Sequence, residues 1–355
     1  MSVTAKNGVR RRSIEACMDE STEKRLCHDI EVACERAVAC AQIRCSRRCG
    51  PFDITLTFKS RTLADAIEPL FPIGCQRDPH LTIAFLNRSE FDLDYIVPKS
   101  PNLHRALTAN RDYYAAWWPD QHPLLYLLDK RERRGLVWFA ANDAPNWELS
   151  RPGLLLIQAL SVDTAWTPAH GGAVGREGRF ILLAGPGRSG KTTAALACAE
   201  AGWDYAGDDY VIADTKRGWV EPLFTSARLR VDGAAAFAEL VGVASLGITT
   251  DEDDTRHELR LASPLAGRIR GGTIAAILLP RREGFSTPKF APARRLDAFN
   301  GLIRHTIPSL RGWASVLSIK LTDLVGCAPA FFVDTGTNPA LLPDAFGSLL
   351  DGLQN

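Results

Sequence analysis

The stretch GPGRSGKTT at 185–193 carries Gly185, Gly190, Lys191 and Thr192 at every fixed position of a G-x-x-x-x-G-K-[ST] phosphate-binding loop. The pattern has a physical basis. Glycines let the backbone wrap a phosphate closely, and the first turn of the following helix offers unpaired N–H groups and a favourable dipole. Lys191 is expected on the β- and γ-phosphates of ATP and the Thr192 hydroxyl on Mg²⁺, with Gly187, Arg188, Ser189 and Thr193 completing the nucleotide-holding loop. Asp208 and Asp209 follow 17 and 18 positions after Lys191. A helix of about 12 residues from Gly190 leaves the chain just enough length to turn and bring both carboxylates back beside the loop. Transfer of a phosphoryl group to an alcohol needs a carboxylate near the attacking hydroxyl and an oxygen ligand for Mg²⁺ besides Thr192. Adjacent residues on an extended chain point to different sides, so the pair can divide those roles. Further cations are expected around such a site. Arg228, Arg230, Arg256, Arg260 and Lys289 are expected in loops or at strand ends, and of these Arg260 is the candidate on the substrate side.

The elements that would position these residues are legible around them. RFILLAG reads as the strand feeding the loop, paired antiparallel with GGAVG across the turn REG. YVIADTKRGWVEPL at 210–223 reads as strand, charged turn with Gly218, and strand. GTIAAILLP at 272–280 and AFFVD at 330–334 are buried strands, and NPALLPDAFGSLLDGL is a closing amphipathic helix. Upstream, FDITLTF at 52–58 and HLTIAFL at 80–86 are strands around the helical LADAIEPLF. LLYLLDKRERRGLVWFAAN is two strands about a charged turn. RPGLLLIQALSVDTAW, with Pro152 near its start, predicts a helix over 151–166. The organisation expected is α/β: a poorly defined Cys-rich extension over 1–50, a smaller N-terminal α/β module over 51–150, and a P-loop domain over 151–355. Within 1–50, Leu26, Ile30, Ala33 and Ala37 fall along one side of a helix.

AHGGAVG, GPGRSGKTT and AGWDYAGDDYVIAD together resemble the HPr kinase/phosphorylase superfamily, whose P-loop core is shared with the phosphoenolpyruvate carboxykinases. The resemblance implies that core fold, and it singles out His170 ahead of the loop strand as a residue that orients or tunes a carboxylate near the transferred phosphoryl group. It also implies Asp208 as general base and Asp209 as the metal-linked carboxylate; the residues by themselves support the reverse as well. WELSRPGLLLIQALSVDTAWTPAHGGAVG, VIADTKRGWVEPLFTSARLR and SPLAGRIRGGTIAAILLPRREG have the layout of HPr-kinase-related proteins of peptide-biosynthesis clusters, among them kinases of lasso-peptide precursors. For those the acceptor is a C-terminal serine, so a peptide or protein with an acceptor serine is the partner implied. The E-[IV]-R-G-[LIR]-G signature of the sugar-regulated HPr kinases has only HELRLASPLAG at 257–267 as its nearest counterpart. HPr as substrate and the reverse phosphorylase activity are therefore not implied.

Composition bounds the rest. The chain of 355 residues has 42 Lys plus Arg against 41 Asp plus Glu, which gives no electrostatic case for nucleic acid or an anionic membrane as the main partner. No apolar run approaches the roughly 20 residues of a membrane span, and the N-terminus has no apolar signal-peptide segment, so a cytoplasmic protein is expected. A homo-oligomer is compatible with this composition. Six of nine cysteines lie between Cys17 and Cys49 without a C-x-x-C pair, which reads as reduced thiols rather than a zinc site. A guanine-reading N-K-x-D is missing; TKRG at 215–218 is not one, which disfavours a GTPase switch. The readings left open are a serine kinase, a small-molecule alcohol kinase of the same fold, and a nucleotide-binding regulatory protein.

Overall fold

In the computed structural model the alternating FDITLTF becomes the second strand of a seven-stranded sheet. The structure describes residues 20–74, 78–93, 95–97, 105–119, 122–142, 144–251, 254–306 and 313–353. The sheet runs, in spatial order, Ile43–Cys49, Phe52–Phe58, Leu81–Asn87, Arg134–Phe139, Leu124–Asp129, Tyr113–Trp118 and Arg105–Ala109. Phe52–Phe58, Leu81–Asn87 and Arg134–Phe139 are parallel neighbours, and the remaining pairs are antiparallel. The helix Glu20–Cys40 lays Ile30, Ala33, Cys34 and Ala37 on one face, against Leu86, Leu127 and Trp138. This corrects the expected extension. Residues 20–49 are integral to the N-terminal sheet, because that apolar stripe is the cover its face requires and IRCSRRC pairs residue for residue with FDITLTF. Residues 1–19, including Cys17, lie outside the described residues. Cys34 and Cys49 sit fully buried as free thiols.

A second sheet has nine strands, and the structure is thus a mixed α/β protein. Its main path is Asp204–Gly207, Gly172–Arg176, Arg179–Leu183, Gly272–Arg281, Trp219–Pro222, Tyr210–Asp214 and Trp166–His170. The long strand Gly272–Arg281 also pairs in parallel with Ala330–Asp334, which carries Lys289–Ala293 at its outer side. Helices Lys191–Glu200 and Leu342–Gly352 pack on one face with Ile181, Leu183 and Leu278. Helices Arg295–Thr306 and Ala314–Gly326 pack on the other with Leu182, Ile277 and Val211. A third sheet of Ser226–Arg230, Asp254–Arg260 and Ser245–Asp251 lies beside the core. Arg230 and Arg260 end their strands and Lys289 begins its own, as expected, whereas Arg228 and Arg256 lie inside strands: SARLR and DTRHELR alternate charge with small or apolar residues, a pattern without a strong apolar face.

The two large sheets share one interior. The helix expected over 151–166 is shorter, Leu154–Ser161, because Pro152 precedes it and Gly153 takes the left-handed position at its start (φ 66°). From Trp166 the chain is already strand. Leu154, Leu155, Leu156 and Ile157 fill the space between Phe85 and Val137 on one side and Ile212, Leu223 and Leu317 on the other. Full burial of such side chains stabilises by about 1.5–3 kcal/mol each, so the junction near residue 150 is welded rather than hinged. Among the described residues no helix is long and apolar enough to cross a membrane.

Candidate active site

The strand Arg179–Leu183 lies at the centre of the second sheet, flanked by Gly172–Arg176 and Gly272–Arg281. Ala184 still donates to the Leu278 carbonyl at 2.8 Å, and the chain leaves the sheet at Gly185. Gly190 closes the loop at φ 108°, a conformation that favours glycine, and caps the helix Lys191–Glu200. Arg188 is exposed and left-handed at φ 66°, one of three non-glycine residues of positive φ among the described residues. Lys191 is buried and folds back over the loop, donating from Nζ to the carbonyls of Gly185 (2.8 Å) and Pro186 (3.1 Å). Burial pulls its pKa below the ordinary lysine value, against the attraction of Asp209 and Asp208. Gly185, Gly187, Ser189 and Thr193 complete the loop and the first helical turn as the sequence predicted.

The aspartates reach the loop because two chain segments exchange partners at one place. Trp166–His170 pairs with Tyr210–Asp214, whereas the continuing strand Gly172–Arg176 pairs with Asp204–Gly207. The switch points are Gly171 on one segment and Asp208–Asp209 on the other. Gly171 donates to the Asp209 carbonyl at 2.9 Å. A Cβ at Gly171 would stand 2.6 Å from the Leu183 carbonyl oxygen, so glycine is required by close approach. His170 is thereby set opposite Tyr210, the two rings edge to face with centroids 5.1 Å apart. Its backbone N–H donates to Thr306 Oγ1 at 3.0 Å, which ties it to the helix Arg295–Thr306.

The two carboxylates occupy different environments. Asp208 is 3% exposed and its Oδ2 accepts from Thr192 Oγ1 at 2.9 Å and from the Arg228 N–H at 3.4 Å. Its Oδ1 lies 3.1 Å from the Tyr205 hydroxyl. Burial, and then the neighbouring Asp209 charge, push the Asp208 carboxyl up to about 6, while the Thr192 and Tyr205 hydroxyls oppose the rise. The Asp209 side chain is 34% exposed, with Oδ1 3.2 Å from His170 Nδ1 and Oδ2 3.7 Å from an Arg151 guanidinium nitrogen. Burial works to raise its pKa, but His170, Arg151, Lys191 and Arg228 outweigh that and hold it below the usual carboxylate value. A small cleft opens in front of the pair, walled by Ser150, Arg151, Tyr210, Phe224 and Ser226.

Lys191, Thr192, His170, Asp208 and Asp209 therefore converge, as expected from sequence. Arg260 does not join them by any of its hydrogen bonds: its Nη2 donates to the Asp65 carbonyl of the N-terminal part, at 3.3 Å. The strand pairing that sets Arg260 opposite Ser226 sends its long side chain toward the helix Arg61–Ile67, which carries Asp65. The other arginines of the third sheet are held by acids, Arg228 by Glu258 (2.8 Å) and Arg230 by Asp254 (2.9 Å), with Arg256 on Asp254 as well (2.6 Å). Arg151 and Tyr205 are the site residues that sequence reasoning missed. Arg151 precedes Asp209 by 58 positions in a different element, and only its following Pro-Gly was informative, as a helix start.

The hard-oxygen pair of Thr192 Oγ1 and Asp208 Oδ2, on the first helical turn after the loop, suits Mg²⁺ held mainly through phosphate and water oxygens. Among the described residues no group of three or more His, Cys, Asp and Glu gathers as a metal centre. Neither protein-family models nor curated proteins give a match to this chain.

Proposed function

We propose that the chain is an ATP-dependent, Mg²⁺-dependent kinase of the HPr kinase/phosphoenolpyruvate carboxykinase type that phosphorylates a serine hydroxyl of a peptide or protein. The acceptor in its most specific form is the C-terminal serine of a lasso-type precursor, and the setting is the cytoplasm. One observation carries the reading: a buried carboxylate joined to the loop threonine stands next to an accessible carboxylate joined to a histidine. A nucleotide switch needs the first arrangement and has no use for the second. The roles that fit this geometry reverse those implied by resemblance. Asp208, with Thr192, holds the metal ion, and Asp209, beside His170 at the cleft, is the general base.

Bound there, Mg²⁺ would screen phosphate charge. The residues do the remainder. Lys191 leaves the loop carbonyls for the β- and γ-phosphate oxygens, and the loop N–H groups surround the phosphates. Asp209 accepts the proton of the acceptor hydroxyl as its oxygen bonds to the γ-phosphorus. The bond from that phosphorus to the β-bridging oxygen breaks, giving a phosphoester and ADP. His170 fixes the Asp209 oxygen that receives the proton and supports its charge.

The test is incubation with γ-labelled ATP and a panel of C-terminal-serine peptides, HPr and small alcohols, using wild type, D208N and D209N. Label on a serine peptide, lost by about 10²-fold or more in D209N with nucleotide affinity retained, supports the reading. Label only on small alcohols makes it a metabolite kinase. Tight nucleotide binding with no acceptor labelled refutes the kinase reading in favour of a regulatory protein.

A further inference from the structure

We infer that Arg151 is a positioning residue for Asp209, and that the N-terminal sheet holds it in place through Tyr126 and Glu148. The inference rests on reading Asp209 as the base. The two oxygens of Asp209 are taken by groups from different parts of the chain. His170 Nδ1 stands 3.2 Å from Oδ1 and the Arg151 guanidinium 3.7 Å from Oδ2. A close contact on one oxygen and a looser ion pair on the other restrict rotation of the carboxylate about its terminal bond. The guanidinium also lies over the Tyr210 ring, 5.5 Å from its centroid, which fixes the cation as well as the anion.

Arg151 itself is anchored from behind. Glu148 is buried, and its carboxylate accepts from the Tyr126 hydroxyl at 2.6 Å and from the Gly153 N–H at 2.6 Å. Those two bonds bracket the turn 148–153 that carries Arg151. Tyr126 belongs to the strand Leu124–Asp129 of the N-terminal sheet, so its hydroxyl connects that sheet to the turn. On the opposite side the Ser226 hydroxyl donates to the Ser150 carbonyl at 2.9 Å and ties the same turn to the third sheet. The other charges near Asp209 come from elsewhere: Lys191 from the loop helix, Arg228 from the third sheet and Asp208 beside it. Lys191 hydrogen-bonds the loop carbonyls and Arg228 is salt-bridged to Glu258. Arg151 is the cation among the residues that line the small cleft in front of the pair.

The experiment compares the orientation of the Asp209 carboxylate in crystal structures of full-length wild type, R151M, R151K and Y126F, with circular dichroism to verify folding in solution. In R151M the carboxylate should leave its wild-type orientation beside His170, and R151K should restore it in large part. Y126F, remote from the site, should displace it in the same way by less. In the transfer assay R151M should lower kcat by about 10-fold to 100-fold with nucleotide affinity unchanged, as expected for a misplaced catalytic group. An Asp209 carboxylate placed identically in folded wild type and R151M overturns the inference. A wild type that labels no acceptor sinks the kinase reading instead, and the carboxylate orientation still decides whether Arg151 governs Asp209.

Discussion

Replacing Asp208 by asparagine should stabilise the nucleotide-free protein at neutral and alkaline pH while weakening its use of Mg²⁺. Burial pushes the Asp208 carboxyl from an ordinary 3.8 up to about 6, so the native state holds this proton more tightly than the unfolded chain. The stability this contributes is fully present below the unfolded value and is lost as pH rises through about 6. A displacement of that size penalises the ionised form at pH 8 by about 3 kcal/mol. Asparagine stays neutral and escapes that penalty. Its amide can still meet the Thr192 and Tyr205 hydroxyls, which reorient, but one arrangement forfeits the Arg228 N–H bond, costing about 1 kcal/mol. The net gain is about 2 kcal/mol. Urea unfolding without nucleotide, from about pH 4.5 to about pH 8, measures it. The stability gap between D208N and wild type should widen by about 2 kcal/mol over that range in favour of the variant. Adding Mg-ATP should narrow it, since the wild type gains more from the metal-bound nucleotide. A D208N protein that is less stable than wild type by the same amount at both ends would refute the burial argument, and with it the picture of Asp208 as a strained carboxylate awaiting a cation.

Two other changes and one labelling experiment probe different levels. G171A places a Cβ against the Leu183 carbonyl, so it should cost about 1–3 kcal/mol and displace His170; thermal melts and the transfer assay should show lower stability and lower kcat with nucleotide affinity kept. L156A opens a cavity between the two large sheets and should cost about 2–5 kcal/mol. Fluorescence and circular dichroism should report one coincident transition, and separate melting of the two sheets would contradict the shared interior. Cys34 and Cys49, whose thiols burial raises far above the ordinary value, should resist a thiol reagent in the native protein, while the exposed Cys327 reacts first and the half-buried Cys27, Cys40 and Cys45 follow.

The loop was legible because its chemistry is local. Gly190 must reach φ 108°, Lys191 must reach carbonyls five and six residues back, and Thr192 must begin the helix, all within one turn of chain. The return of the aspartates was legible from length alone, since a helix and a turn consume a countable number of residues. The strands and the closing helix followed from periodicity, and so did the apolar stripe of Glu20–Cys40. That this stripe covers a sheet was not legible, because a partner face built from residues 81–138 leaves no local mark. The third sheet was hidden by its charged alternation.

By itself, then, the sequence located the groups that come together: the loop lysine and threonine, and a carboxylate pair at the right remove. Only the tertiary structure decided how the pair divides. Asp208 and Asp209 are chemically identical neighbours, and their difference comes from surroundings assembled from distant segments. Thr192 and Tyr205 enclose one, and His170 and Arg151 flank the other at the cleft. Burial and nearby charge act through space, so no spacing along the chain could have told the two apart.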